Sequence, residues 1–159
     1  MNSMKKVKIY TDGACSGNPG KGGYGVLLMY NEHRKELSGG YRLTTNNRME
    51  MMAAIVGLET LTMQSNVTLY TDSRYLVDAI TKGWAKKWQA NGWQRNQNEA
   101  AKNPDLWQKL LDLCEEHEVE FVWVKGHSGH PENEHCDRLA VAASQQLELP
   151  IDQVYEQQA

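Results

Sequence analysis

The chain has 159 residues, 40% of them hydrophobic and 23% charged, with a formal net charge of −3 at neutral pH. That length suits one domain with a core of its own, and the composition excludes disordered, collagenous and coiled-coil classes. The average charge gives no sign of a nucleic-acid binder, but six basic residues against two acidic ones fall between Lys82 and Lys109.

Residues 5–12 read as a strand, and 22–30 and 34–43 as two more joined by a hairpin turn at Asn31-Glu32. From Asn47 to Met63 the period changes: Met51, Ala54, Ile55, Leu58 and Leu61 recur at helical spacing with no proline between them. Residues 67–71 form a fourth strand and 73–80 a short helix. A further helix spans 104–117, with Pro104 in its favoured first turn, followed by a fifth strand over 118–124. A last helix covers 132–148 and stops before Pro150. The alternation of strand and helix in the second half requires crossovers, whereas the first three strands meander. The expected fold is therefore α/β, a mixed five-stranded sheet flanked by helices, with one domain over 1–148. Residues 149–159, poor in core-type side chains, read as a flexible tail.

Three cysteines without close spacing argue against a disulfide framework, and the lysine-containing first residues lack an apolar export segment. No apolar run approaches the roughly 20 residues of a membrane helix. A cytoplasmic protein with no membrane contact is expected.

Gly20-Lys21-Gly22-Gly23-Tyr24-Gly25 satisfies a dinucleotide-type pattern, yet the strand-like Val26-Leu27-Leu28-Met29 follows it instead of a helix. A nucleotide fold is excluded, and a tight glycine loop between two strands is the expectation. Asp12, Glu50, Asp72 and Asp137 each stand at a break between elements. Singly, each has a structural alternative: a turn at Asp12-Gly13, a capping box from Asn47 to Glu50, an N-cap at Asp72, a solvated helix acid at Asp137. Gathered, they would repel by roughly 4 kcal/mol per pair at about 4 Å and need a cation, for which hard carboxylate oxygens favour Mg²⁺ or Mn²⁺. His127, His130, His135 and Cys136 offer another metal reading, a zinc-stabilised interaction domain, although their spacing departs from zinc-finger patterns. Four of the five tryptophans, Trp84, Trp88, Trp93 and Trp107, lie in the basic segment. They suit either a surface that follows phosphates or an anchor to the core.

Five blocks in order carry a resemblance over nearly the whole chain. They are Tyr10-Thr11-Asp12-Gly13 with Asn18-Pro19-Gly20, then Thr45-Asn46-Asn47-Arg48-Met49-Glu50, Tyr70-Thr71-Asp72-Ser73, Trp123-Val124-Lys125-Gly126-His127, and His130-Pro131-Glu132-Asn133-Glu134 with Asp137. In these the chain resembles the bacterial type 1 ribonuclease H family. The resemblance implies the ribonuclease H-like fold and endonucleolytic hydrolysis of the RNA strand of RNA–DNA hybrids, leaving 5′-phosphate and 3′-hydroxyl ends. It implies Asp12, Glu50, Asp72 and Asp137 as catalytic ligands of two divalent cations, with Asp12 and Asp72 shared between them, and His127 as an auxiliary proton carrier or aid to product release.

By the same resemblance, Cys15, Asn18, Asn46, Asn47 and Glu50 border the minor groove and read the 2′-hydroxyl. Trp84 lies near the DNA strand, and Thr45 and Asn103 hold a DNA phosphate. The partner is the hybrid, and a monomer suffices. A catalytically silent hybrid-binding module is the alternative, against which the four acids and the histidine speak. Two departures from relatives stand out: Leu43 replaces an arginine two residues before Thr45, with Arg42 beside it, and Gln89-Ala90-Asn91 makes the basic segment poorer in lysine. Weaker hybrid binding with a shallower salt dependence is expected.

Overall fold

The computed structural model describes residues 4–126 and 128–158. Its strands are β1 (Lys5–Ser16), β2 (Gly20–Tyr30), β3 (His33–Thr44), β4 (Ser65–Thr71) and β5 (Glu118–Trp123). Its helices are α1 (Asn46–Glu59), α2 (Arg74–Thr81), α3 (Trp84–Ala90), α4 (Pro104–Glu116), α5 (Pro131–Ser144) and α6 (Gln153–Gln158). The sheet order is β3-β2-β1-β4-β5. The β1–β2 and β2–β3 pairs are antiparallel and the β1–β4 and β4–β5 pairs parallel, as the alternation of elements requires. No helix among the described residues is long and apolar enough to cross a membrane.

The two faces of the sheet are covered differently. On one face Val7, Ile9, Val26, Val67 and Leu69 pack with Ile55 and Leu58 of α1 and Leu110 of α4 into the main core. On the other face α5 lies directly on backbone. A Cβ at Gly25 would collide with the Cys136 carbonyl oxygen, and one at Gly23 with that of Ala140. The glycine string is thus no loop: Gly20 opens β2, Gly23 and Gly25 make the floor on which α5 rests, and Gly22 faces Thr44 and Met49 on the opposite side. Gly25→Ala should destabilise the fold by about 1–3 kcal/mol through overpacking, read as a lower urea midpoint at constant m-value.

Other boundaries move for local reasons. β1 runs to Ser16 because its antiparallel pairing with β2 continues through Cys15↔Gly22 and Ser16↔Lys21. α5 ends at Ser144, where the Gln145 and Gln146 N–H groups close tight turns on the carbonyls of Ala142 and Ala143. α3 lies within the basic segment. Trp107 is fully buried and Trp88 meets it edge-on at 6.0 Å, so these two tryptophans anchor the segment. Trp84 stays exposed, with the Lys82 ammonium 5.4 Å from its ring centroid.

The stretch expected as a flexible tail is instead strapped along β3. The Arg42 N–H donates to the Pro150 carbonyl at 2.9 Å, and the Arg42 guanidinium grips Glu156 through two bonds of 2.9 Å. Asp152, buried, accepts from the Thr44 hydroxyl at 2.7 Å and from Arg48 at 2.8 and 2.9 Å. The anchor is polar, which is why a count of apolar residues misses it.

Candidate active site

The parallel register builds half of the site. Tyr10 pairs with Tyr70, their rings stacked at 4.5 Å, so Asp12 within β1 and Asp72 just past β4, each two residues further on, stand side by side. Gly13 supplies the next contact, since a Cβ there would lie 2.6 Å from the Glu50 nitrogen. This close approach of β1 to α1 brings Glu50 to Asp12. Gly25, the cross-strand partner of Asp12, abuts α5 at Cys136, one residue before Asp137. Carboxylate oxygens of Asp12, Glu50 and Asp72 lie within 4.8 Å of one another. Asp137 lines the same open cavity of about 400 Å³, together with Asn46, Asn47, Ser73 and Arg74.

The capping alternatives for Glu50 and Asp72 are taken by other residues. Thr45 is the N-cap of α1, accepting the Arg48 N–H at 3.3 Å, so Glu50 has no capping duty. Ser73 caps α2 through the Leu76 N–H at 3.1 Å, which frees the Asp72 carboxylate. Asp12 lies within a strand rather than a turn.

Burial, then the charge of Asp72, pushes the Asp12 pKa up to about 8. Burial, with the charges of Asp12 and Asp72, raises Glu50 well above the usual carboxylate range. Glu50 Oε2 is buried without a hydrogen-bond partner among the described residues. An orphaned, all-oxygen carboxylate centre of this kind fits a hard divalent cation, whose charge would offset both penalties. Cation binding must then displace protons. Activity at sub-saturating metal should rise from pH 6 towards pH 9 as Asp12 ionises, and a higher metal concentration should move that limb to lower pH. A limb that ignores metal concentration would contradict this coupling.

The remaining predicted site residues surround the acids. The Asn18 Oδ1 accepts the Asn46 N–H at 3.1 Å, tying the β1–β2 turn to the start of α1. The Cys15 thiol turns inward to the carbonyls of Thr44 and Gly20 at 3.5 and 3.7 Å. Asn103 meets the Arg48 guanidinium at 3.2 Å, while Trp84 stands apart on α3. His127 lies outside the described residues. Sequence reading missed Arg74. Its guanidinium stacks 4.1 Å from the Trp123 ring centroid, and the Trp123 indole N–H donates to the Asp72 carbonyl at 3.1 Å. An arginine two residues after a candidate ligand was the available signal. Among the described residues the zinc reading finds no common centre: the Cys136 thiol donates to the Tyr10 carbonyl at 3.2 Å, whereas His135 Nε2 meets Glu36 Oε1 at 2.6 Å.

Carboxylates converging beside a polar cleft, where the parallel pairing of β1 and β4 ends, match the chemistry of metal-assisted hydrolysis. The RNase H family model matches residues 4–145. Ribonuclease H of Rippkaea orientalis is 81% identical over 155 residues, spanning 98% of this chain and 95% of the relative. Ribonuclease HI of Synechocystis sp. is 63% identical over 153 residues, 96% of each chain. LC9-RNase H1, a type 1 RNase H with the type 2 active-site motif, superposes with a TM-score of 0.79 at 35% identity, over 91% of this chain and 74% of that one. LC11-RNase H1, solved in complex with an RNA/DNA hybrid, shares the fold at a TM-score of 0.66 and 23% identity, over 94% of this chain and 99% of that one. The chain belongs to the ribonuclease H family, and it is a nuclease.

Proposed function

We propose that this nuclease cleaves the RNA strand of RNA–DNA hybrids endonucleolytically, leaving 5′-phosphate and 3′-hydroxyl ends, with Asp12, Glu50, Asp72 and Asp137 holding two divalent cations, Mg²⁺ or Mn²⁺. The observation that carries this reading is the convergence of Asp12, Glu50 and Asp72 oxygens within 4.8 Å of one another, with a buried Glu50 oxygen that has no hydrogen-bond partner among the described residues. Held by these four acids, the cations would supply activation of the attacking water and stabilisation of charge on the leaving 3′-oxygen.

The protein's own part is placement. Asn46 and Asn47 line the cleft beside the acids, and Asn18 holds the main chain of Asn46, so these amides face the RNA strand, where the 2′-hydroxyl distinguishes it from DNA. The inward turn of the Cys15 thiol leaves its main chain for that contact. Arg74, backed by Trp123, adds a cation at the rim for an RNA phosphate. Thr45 and Asn103 hold a DNA-strand phosphate, and exposed Trp84 lies along the same strand. Trp84→Ala should weaken hybrid affinity about fivefold or more, the loss of one stacking surface, in a filter-binding titration.

His127 serves proton transfer or product release, in keeping with Gly126, where a Cβ would lie 2.7 Å from Asp72 Oδ2. One chain supplies every carboxylate, so a monomer is sufficient. Three free cysteines suit a reducing cytoplasm. An end-labelled hybrid incubated with enzyme and either metal tests the whole reading. Internal cleavage of RNA only, dependent on added cation, is the expected result; cleavage in chelator or of duplex DNA would refute it.

A further inference from the structure

Arg48 is 3% exposed, and all five of its guanidinium N–H groups are engaged. Nε donates to Asp152 Oδ2 at 2.8 Å, and Nη2 donates to Asp152 Oδ1 at 2.9 Å and Asp105 Oδ2 at 2.8 Å. Nη1 donates to Asp105 Oδ1 at 3.0 Å and Asn103 Oδ1 at 3.2 Å. A guanidinium only donates, so the Asn103 atom that faces it is the amide oxygen. The NH₂ end of Asn103 is left for another acceptor. The main-chain N–H of the same arginine goes to Thr45 Oγ1 at 3.3 Å, occupying a lone pair and leaving the hydroxyl hydrogen for use elsewhere. Neither the Asn103 NH₂ nor the Thr45 O–H donates to any described residue.

The guanidinium therefore sets the polarity of Asn103, and the main-chain N–H of the same residue, as the N-cap partner of α1, sets that of Thr45. Two free donors, one from each end of a rigid link, match the oxygens of a phosphate. The surrounding charge makes the link necessary. Asp105 and Asp152 would repel a phosphate, but both oxygens of each are turned to Arg48. No nearby cation of β3 substitutes, since Leu43 carries no charge and Arg42 is paired with Glu156.

We infer that Arg48, clamped by Asp105 and by Asp152 of the C-terminal strap, is a positioning residue that presets Asn103 as a hydrogen-bond donor, beside the Thr45 hydroxyl at the start of α1, to one phosphate of the DNA strand. The inference rests on the assignment of Thr45 and Asn103 to a DNA phosphate, and it makes the strap part of substrate recognition.

The test uses full-length enzyme, saturating metal, and hybrids whose DNA strand carries a single neutral methylphosphonate at successive positions. With the unaltered protein, one position should raise KM about five- to tenfold, the loss of hydrogen bonds to a charged group. Asn103→Asp retains the acceptor for Arg48 but presents no N–H. It should raise KM on the unmodified hybrid by a similar factor without lowering Tm. Asp152→Asn, and a chain ending at Pro150, should raise KM about fivefold while kcat stays within twofold. In both, the methylphosphonate at the sensitive position should add little further loss, a non-additivity that general destabilisation does not produce.

Failure of either reading is separable from failure of the other. If Asn103→Ala leaves KM unchanged, the phosphate assignment itself is wrong. If Asn103→Ala raises KM but folded Asp152→Asn and the shortened chain keep normal KM and full methylphosphonate sensitivity, the assignment stands and the positioning role falls. Should both strap variants fail to fold, Asn103→Asp decides alone: unchanged KM overturns the donor polarity on which the proposal depends.

Discussion

Asp12→Asn should lower turnover of hybrid by at least about a thousandfold while leaving hybrid affinity within a few fold, and in metal-free buffer at pH 8 it should make the protein more stable. The first effect follows from removing a charged ligand at the centre of the carboxylate cluster, where the remaining acids cannot substitute for its position. The second follows from burial. Asp12 titrates near 8 in the folded chain against about 3.9 for an ordinary aspartate, so the folded state retains a proton that the unfolded state has lost across that interval. Stability of the metal-free protein therefore falls as pH rises from about 4 to 8. Asparagine keeps the shape and removes the charge. The gain should be absent near pH 4 and reach roughly 1–3 kcal/mol at pH 8, or about 3–10 °C in Tm. Adding Mg²⁺ should stabilise the unsubstituted protein more than the variant. Thermal unfolding in chelator at both pH values measures this, and equal Tm values at pH 8 would refute it.

Arg48→Ala should have the largest effect on stability, about 3–5 kcal/mol, or a fall of roughly 6–20 °C in Tm. Removing the arginine strands two carboxylates, of which Asp152 is 8% exposed and Asp105 23%. Burial opposes the charged form of Asp152, but hydrogen bonds from Arg48 and Thr44 outweigh it and hold its pKa below the usual range. The contribution of the pair is thus complete above about pH 4 and declines as acid protonates the folded carboxylate. The variant's deficit should shrink in step. A deficit constant from pH 3 to 7 would show that lost packing, not the ion pair, is responsible.

Three of the acids were readable from local patterns, although Asp12 lies inside β1 and Glu50 in the second turn of α1, not at breaks between elements. Asp72 follows a run of β-formers, Glu50 opens a helical period, and Asp12 precedes a glycine. Their convergence was not local information, and only the resemblance supplied it before the sheet register did. The strap was invisible for the complementary reason. Asp152 and Arg48 are 104 residues apart, and nothing near either one reports the other. Glycine misled in a third way. Absence of a Cβ serves both a turn and a close helix–sheet approach, and the choice at Gly23 and Gly25 depended on α5, more than a hundred residues later. In the tryptophan segment the anchoring reading holds for Trp88 and Trp107, while Trp84 faces outward.

The Tyr10–Tyr70 pairing has a metrical consequence. Sliding β4 by one residue along β1 would carry Asp72 about 3.3 Å along the strand and turn its side chain to the opposite face. The gap between the two acids is held by a ladder of hydrogen bonds and a stacked ring pair, not by a pair of loops. The sheet works as a caliper, so the tolerance of the distance between these two acids is the stiffness of a β-ladder.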